Sequence, residues 1–421
     1  MGRTFLLLTQ AYPPDPTSVG QHIADAAAEL ARRGHRAVVL TADRGYDDPA
    51  VRFPHREVLR GVEVYRLPWC SFGKGSIAIR LIAGFSFVAQ AIVRGLFIRQ
   101  VDTVVVSTVP PMAPIAGWVL SVLRRARLKF WVMDLNPDQL IALGLTDESS
   151  LTARVFDGIN RAVLGRATDV IVLDRFMADR VLRKRDVRKK LTILPPWPLS
   201  DHLEPVPHEQ NPFRVEHSLG GKLVVMYSGN HSPTNPLTTI LKAAERVADD
   251  PRLVFLFVGG GIGKREVEAS SSPNIRSLPY QPLERLKYSL SAADIHLVTM
   301  GEGVVGIVHP CKVYGALEVG RPVLFLGPEP SHISDIIAHH RIGWRIVPGD
   351  IAGAERLLRS LPSIGADELA AMGAKARAAI TEGLSKEELC GRLVDVLERG
   401  GEAPGGSTSA RRTPAGFSAE A

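Results

Sequence analysis

Four segments of this 421-residue chain set polar side chains directly after an apolar run. That is where a parallel sheet presents its ligand-binding loops. In the first, Ala11 to Gly20 (AYPPDPTSVG), Pro13, Pro14 and Pro16 stiffen the loop, and Gly20 with the amides after it opens a helix toward an anion. A merely rigid loop, with His22 structural or solvated, fits equally. In the second, Met133 to Gln139 (MDLNPDQ), Asp134 emerges at a strand end, where a carboxylate acts as a base or orients a substrate hydroxyl. Its alternative is to cap the next helix, a task Asp138 also fits. In the third, Tyr227 to Pro236 (YSGNHSPTNP), Gly229 permits close backbone approach while Asn230 and His231 offer donors to phosphate oxygens. Ser232 and Thr234 read equally as turn and cap residues.

The fourth segment, Gly301 to Lys312 (GEGVVGIVHPCK), is the strongest. Its glycines, Gly306 among them, free the loop to wrap a ligand. The helix that follows Cys311 presents N–H groups at its positive end, and Lys312 adds a full charge beside them. His309 and Glu302 flank this diphosphate cradle, which lacks the phosphate-loop pattern G-x-x-x-x-G-K-[ST]. A plain strand-to-helix connection is the alternative. Val258 to Gly263 (VGGGIG) does not satisfy G-x-G-x-x-G, because Lys264 stands where the third glycine belongs.

These loops require strands and helices in alternation, and the chain supplies them. Strand-like runs fall at Thr4–Thr9, Ala37–Leu40, Thr103–Ser107, Leu128–Met133 and Asp169–Leu173, with helical patterns at Gly20–Arg33 and Thr152–Leu164. A proline-rich stretch, Pro195 to Pro212, then interrupts the periodicity as an interdomain connection does. A second set follows, with strands at Leu223–Tyr227, Val254–Val258, Asp294–Thr299 and Pro322–Phe325 and helices near Leu237–Ala248, Pro282–Ala292, Lys312–Val319 and Lys386–Arg399. The expected architecture is α/β, with a front domain over 1–196, a linker over 197–217, a back domain over 218–385, a C-terminal helix over 386–399 and a disordered tail over 400–421.

Composition agrees with an enzyme-sized folded protein, at 45% apolar and 23% charged residues. Cys70, Cys311 and Cys390 share no spacing, which excludes a disulfide framework or thiolate zinc cluster and fits a cytoplasmic protein. The opening MGRTFLLLTQ has too short an apolar stretch for a signal sequence and reads as a strand. Charge is uneven: residues 1–200 hold 28 Lys and Arg against 18 Asp and Glu, and residues 201–421 hold 23 against 26. A basic front suits an anionic membrane or a phosphorylated substrate. Nucleic acid is not expected, because the arginines are scattered and no binding motif accompanies them.

Ile77 to Ile98 is apolar around nearly its whole circumference, with Arg80 and Arg94 as interruptions. Its uncharged core, Leu81 to Val93, is thirteen residues long, short of the roughly 20 needed to cross a bilayer. A buried helix is the first expectation. The second is a peripheral helix lying in a membrane interface, with Arg80, Arg94 and Arg99 meeting lipid phosphates.

Six segments together resemble the GT-B glycosyltransferases, specifically the retaining family-four group that uses nucleotide sugars. They are YPPDPTSVGQHIADAAAELARRGHRAVVLTA, WVMDLNPDQ, YSGNHSP, the VGGG strand end, LPYQPLERLKYSLSAADIHLV and HPCKVYGALEVGRPV. The last is similar to the P-S-K-x-Y-G-x-L-A-A-G-x-P-V segment of capsule and exopolysaccharide sugar transferases. The resemblance covers most of residues 1 to about 400. It implies two Rossmann-like domains facing across a cleft, the donor held mainly by the second and a glycan or lipid-linked acceptor lying on the first. It also implies Gly20 near the diphosphate, Asp134 facing the transferred sugar, Tyr280 and Gln281 near the nucleobase, and Gly306 to Lys312 over the diphosphate and sugar. The family's paired glutamates fall at 307 and 315, where this chain has Ile307 and Gly315, and its loop Arg and Lys are matched by Asn230 and Asn235. Glu318, Lys312, His309 and backbone amides are then the groups left to hold the ribose and diphosphate.

The expected reaction moves a sugar from a nucleoside diphosphate sugar, taken as co-substrate, to a glycan precursor at the inner membrane face. Lys312, His231 and helix amides stabilise the departing diphosphate without metal or cofactor. Two alternatives stay open on the same scaffold: a sugar-nucleotide epimerase, and a catalytically degenerate transferase serving as an assembly subunit.

Overall fold

The computed structural model describes residues 2–400 apart from 16, 47, 74–76 and 200–202. The chain divides into two compact units, one reaching to Leu199 and taking up the helix that begins at Lys386, the other ending at Ser385.

The first unit is an eight-stranded sheet. Its strands are β1 (Thr4–Leu8), β2 (Arg36–Ala42), β3 (Arg56–Leu59), β4 (Val62–Leu67), β5 (Thr103–Val106), β6 (Arg127–Trp131), β7 (Asp169–Val172) and β8 (Leu191–Ile193), in the order β3-β4-β2-β1-β5-β6-β7-β8. All neighbours are parallel except the edge pair β3 and β4. Leu6 sits in register with Val38 on one side and Val104 on the other, and every residue of β1 is buried. Helices on both faces explain why these strands read as unbroken apolar runs. The helices are α1 (Ser18–Arg32), α2 (Ile77–Leu96), α3 (Ala113–Leu123), α4 (Asp138–Ala142), α5 (Leu151–Arg166) and α6 (Arg175–Lys184). In α1, Ile23, Ala26, Ala27 and Leu30 form the buried stripe at helical spacing.

The second unit holds β9 (Leu223–Ser228), β10 (Leu253–Val258), β11 (Ile275–Leu278), β12 (Ile295–Thr299), β13 (Val323–Leu326) and β14 (Gly343–Ile346), all parallel in the order β11-β10-β9-β12-β13-β14. Numbered within the unit this is 3-2-1-4-5-6, the Rossmann order. Its helices are α7 (Pro212–Glu216), α8 (Thr238–Arg246), α9 (Lys264–Glu268), α10 (Leu286–Ser291), α11 (Lys312–Glu318), α12 (His332–His340), α13 (Ile351–Ser360) and α14 (Ala366–Ala379). Alternate residues of β9 and β10 face opposite cores. Val225, Tyr227, Phe255 and Phe257 pack with α8 and α13, while Val224, Met226, Leu256 and Val258 pack with Phe213 of α7. A last helix, α15 (Lys386–Glu398), completes the first unit.

One expected segment is corrected and another is placed. Residues 197–217 are not a free linker. Trp197 is buried in the first unit, where its carbonyl accepts from His22 and its indole N–H donates to Asp25. Asn211, Phe213 and Arg214 are buried in the second, with Arg214 donating to the carbonyls of Ala292, Leu219 and Lys222. The prolines broke the helical periodicity, but side chains large enough to be worth burying lie between them. The expected C-terminal helix at 386–399 is present and belongs to the first unit. It packs on α1, where Arg33 bridges Asp395 and Glu398, and the buried Lys129 of β6 donates to the carbonyls of Val396 and Arg399. Beyond Gly400 the expected tail lies outside the described residues.

The expectation of a buried helix at 77–98 holds for one face of α2 only. Ala83, Phe87, Val88, Ala91 and Ile98 are buried, whereas Ile82, Phe85, Val93, Leu96 and Phe97 are exposed. Over Ile79–Leu96 the helix is long and apolar enough to cross a membrane by length and composition, with 33% of that window buried.

Candidate active site

In the second unit the strand order reverses between β9 and β12. The loops leaving these two strands therefore diverge around a crevice, the place where open α/β sheets bind ligands. They are the third and fourth segments singled out by sequence. The Gly301 amide donates to the Thr234 carbonyl at 2.9 Å and ties them together. Lys312, the first residue of α11, reaches across so that its Nζ stands 5.0 Å from the centroid of the Tyr227 ring. Burial pushes its pKa down to about 8, and no carboxylate pairs with it among the described residues. An ammonium held over an aromatic face without a counter-ion is ready for an anionic ligand.

Glycine geometry brings the backbone this close. Gly229 has φ +126°, and a Cβ there would come 2.9 Å from Lys312 Cε. Gly259, with φ +135°, would carry a Cβ only 2.0 Å from the Gly229 carbonyl oxygen. The VGGGIG run thus serves as the floor on which the β9 loop rests, with no dinucleotide fingerprint needed to explain it. Tyr280 and Gln281 follow β11, and a Cβ on Gly260 would meet the Tyr280 ring at 2.9 Å, so the half-exposed ring borders the same glycine floor. Gln281 donates to the Pro279 carbonyl.

His231 is brought to this floor, yet the expected charge-stabilising role is corrected. Its ring is fully buried, and burial foremost, with the charges of Lys312 and Lys264 adding, holds its pKa below the ordinary histidine range. Nδ1 lies 3.2 Å from the Gly260 carbonyl, which can only accept. The neutral ring therefore keeps its proton on Nδ1, and the unpartnered Nε2 is an acceptor, suited to a hydroxyl rather than a phosphate oxygen. Asn230 is held through its carbonyl by the Tyr227 hydroxyl at 2.7 Å.

The rest of the fourth segment is shared between structure and site. His309 Nε2 is 2.8 Å from the Tyr314 hydroxyl, which is 3.0 Å from His332 Nε2, an internal relay that sequence spacing did not reveal. Cys311 precedes α11 without a side-chain cap, and Gly306 takes φ +70°. At the positions of the family's glutamates, Ile307 is buried and Gly315 packs against Leu290. Glu318 sits at the far end of the seven-residue α11, its Oε1 accepting from the Leu203 amide at 3.1 Å. That is roughly 9 Å of helix rise from Lys312, so Glu318 is not gathered with it.

In the first unit Gly20 lies in the first turn of α1. The helix starts at Ser18, and Thr17, which sequence reading passed over, caps it by accepting from the Gly20 amide at 3.3 Å. A Cβ on Gly20 would come 2.9 Å from the Ala11 carbonyl oxygen, so only glycine lets the loop pass this close to the helix. His22 is enclosed, its Nε2 donating to the Trp197 carbonyl at 2.9 Å and its Nδ1 lying against Ser18. Asp134 stands where expected, after β6, in a small cavity with Thr108, Pro111, Val132 and Asn160, and burial alone pushes its pKa up to about 6.

Residues 17–197 match the family model of the glycosyl transferase 4-like domain. The chain is 26% identical over 263 residues to a Pseudomonas aeruginosa protein assigned as glycosyltransferase WbjE, covering 61% of this chain and 65% of that protein, just under two thirds. It is also 26% identical over 326 residues to an Escherichia coli (strain K12) protein assigned as colanic acid biosynthesis glycosyl transferase WcaI, covering 73% and 79%. Among solved structures, Anabaena HepE in complex with UDP superimposes with a TM-score of 0.67 at 13% identity over 94% of this chain and 99% of that one. The sucrose-phosphate synthase of Thermosynechococcus elongatus gives 0.71 at 16% over 94% and 98%. Fold and relatives point the same way: the chain has the GT-B-type fold of these structures and is similar to glycosyltransferases. Within it, residues 17–197 form a glycosyl transferase 4-like domain similar to those of exopolysaccharide transferases.

Proposed function

We propose that this transferase moves a sugar from a nucleoside diphosphate sugar, held by the second unit, to a lipid-linked or other glycan precursor of a surface polysaccharide. The observation that carries this is the unpaired, desolvated Lys312 ammonium at the strand-order reversal. A departing diphosphate gains charge as the glycosidic bond breaks, and a preorganised cation stabilises it most where water is excluded. His231 Nε2 accepts from a donor hydroxyl, Tyr280 borders the base, and Asp134 orients the acceptor or the transferred sugar. The bound UDP of HepE and the colanic acid assignment of WcaI support this donor and acceptor class. Protein groups carry the diphosphate charge, so no resident metal or cofactor enters the scheme. The exposed apolar face of α2, flanked by Arg80 and Arg99, brings the first unit to the cytoplasmic membrane surface. A thermal-shift screen of UDP-, GDP- and ADP-sugars tests the donor half, since a ligand bound only by the folded state raises its melting temperature. If no nucleotide sugar shifts the transition and none is consumed with membrane extract present, the proposal fails.

A further inference from the structure

The first unit carries a second concavity, away from the Asp134 cavity. It is a groove of about 630 Å³ between the edge pair β3–β4 and the C-terminal half of α2. One wall is basic. Arg56 and Arg94 place their guanidinium carbons 5.1 and 4.4 Å from the centroid of the Tyr65 ring, so the two charges stand within about 10 Å of each other. Both are exposed, and neither forms a direct ion pair among the described residues, the Arg56 charge reaching Glu63 only from a distance. Tyr65 is itself fixed, its hydroxyl donating to Glu63 at 3.2 Å. By contrast Arg66, at the floor, is fully buried and spent on Glu57 and the Pro13 carbonyl. Apolar surface adjoins the basic wall on α2, the helix that also carries Arg94. It includes Val93, 59% exposed, and Phe97, 76% exposed, the last of the outward apolar row of α2.

Two stacked arginines without a direct ion pair, beside a strip of uncovered aliphatic and aromatic surface, match one ligand chemistry: an anionic phosphate head joined to a hydrocarbon chain. Guanidinium forks bind phosphate oxygens in pairs, and stacking on an aromatic ring holds them in place for it. Neither feature alone needs such a ligand, because surface arginines are usually solvated and single exposed apolar residues are common. Their union in one groove, continuous with the exposed face of α2, is what calls for it. We propose that this groove is a lipid-phosphate site, with the phosphate or diphosphate on Arg56 and Arg94 and the chain along Val93 and Phe97. This deepens the membrane-surface part of the function proposed above and rests on it, but not on the donor site.

The test is calorimetric titration of the full chain with farnesyl diphosphate, and separately with inorganic diphosphate and with farnesol. The lipid diphosphate is expected to bind at least ten-fold tighter than either half. The R56Q/R94Q double variant should weaken it ten-fold or more, and F97S several-fold, with melting temperatures unchanged. Two controls separate this site from others. R80Q/R99Q removes the same charge at the two ends of α2, and K312A disables the diphosphate position of the second unit; both should leave farnesyl diphosphate binding within two-fold. Equal loss in R80Q/R99Q would reduce the effect to general electrostatics. Inorganic diphosphate binding as tightly as the lipid, or loss in K312A in place of R56Q/R94Q, would overturn the assignment while leaving the donor site standing.

Discussion

Lys312 Nζ stands 5.0 Å from the Tyr227 ring, and Gly229 is the residue that lets it do so, since a Cβ there would come 2.9 Å from Lys312 Cε. Strand β9 thus runs out through Tyr227 and Ser228 into Gly229 beneath a cation delivered by α11 from the other side of the strand-order reversal. The cation is positioned before any ligand arrives, which is what electrostatic stabilisation of a leaving diphosphate requires.

Lys312→Ala should therefore lower kcat/KM for the nucleotide sugar by about 100-fold or more, the scale of losing one preorganised charge contact. Melting temperature should not fall, because the ammonium makes no ion pair among the described residues. Steady-state kinetics beside a thermal melt check both halves, and near-wild-type turnover would remove Lys312 from the mechanism.

The depressed pKa gives that residue a pH signature. Lys312 titrates at about 8 in place of 10.5, so the free protein loses its diphosphate-binding charge as pH rises through about 8. The profile of kcat/KM, which reports the free enzyme, should fall over that range. Lys312→Arg, charged throughout, should move the falling limb to higher pH. Stability has the opposite sign: between about 8 and 10.5 the unfolded chain holds the proton more firmly than the folded one, so this group's contribution to stability rises with pH across that window.

Asp134 should show the mirror behaviour. Burial raises its pKa from 3.8 to about 6, so its ionisation opposes folding increasingly as pH climbs from about 4 to 6. Asp134→Asn should then stabilise the chain by on the order of 1 kcal/mol at pH 7.5, with little change at pH 4. Activity should drop, and its rise through pH 6 should vanish. Urea unfolding at the two pH values, with a pH–rate profile, separates a carboxylate that works from one that merely caps.

These residues were not equally legible in the sequence. Strands with buried faces on both sides read as apolar runs, and β1, β9, β10 and β12 fall within a residue or two of expectation. The edge strands β3, β11 and β14 did not, because their side chains are partly exposed and their apolar signal is diluted. Lys312 and Gly229 were found as a charge and a glycine after strands. The cap by Thr17 on the Gly20 amide was not read, because the prolines and glycine around it drew attention to an anion site. The acceptor state of His231 follows from the carbonyl it meets at Gly260, a contact between two loops that no local pattern encodes.

The glycine floor makes a sharper demand than its sequence suggested. At Gly259, φ is +135° and a Cβ would lie 2.0 Å from the Gly229 carbonyl oxygen, so Gly259→Ala must push the β9 loop away. A cost of about 2 kcal/mol or more is expected from backbone strain and clash together. Nucleotide-sugar binding should fall with it, as Gly229 and His231 move from beneath Lys312. Chemical denaturation and a donor-induced thermal shift measure the two effects, and a variant with wild-type stability would mean the floor yields more easily than the geometry implies.

The last prediction concerns the helix that returns to the first unit. Lys129 is fully buried, paired with Asp169, and its remaining donors reach the carbonyls of Val396 and Arg399 at 3.0 Å each, so one side chain of β6 holds the end of α15. Burial lowers its pKa, while the Asp169 carboxylate opposes the shift. Removing the ammonium strands Asp169 and two carbonyls out of water, and breaking a buried pair from one side typically costs about 3–5 kcal/mol. Lys129→Ala should therefore destabilise the first unit by that order, and limited proteolysis should cut α15 and α1 before any strand of the second unit. Lys129→Met with Asp169→Leu, which removes both charges together, should recover much of the loss. Should the single and double variants unfold alike, the pair would not be what fixes α15 in place.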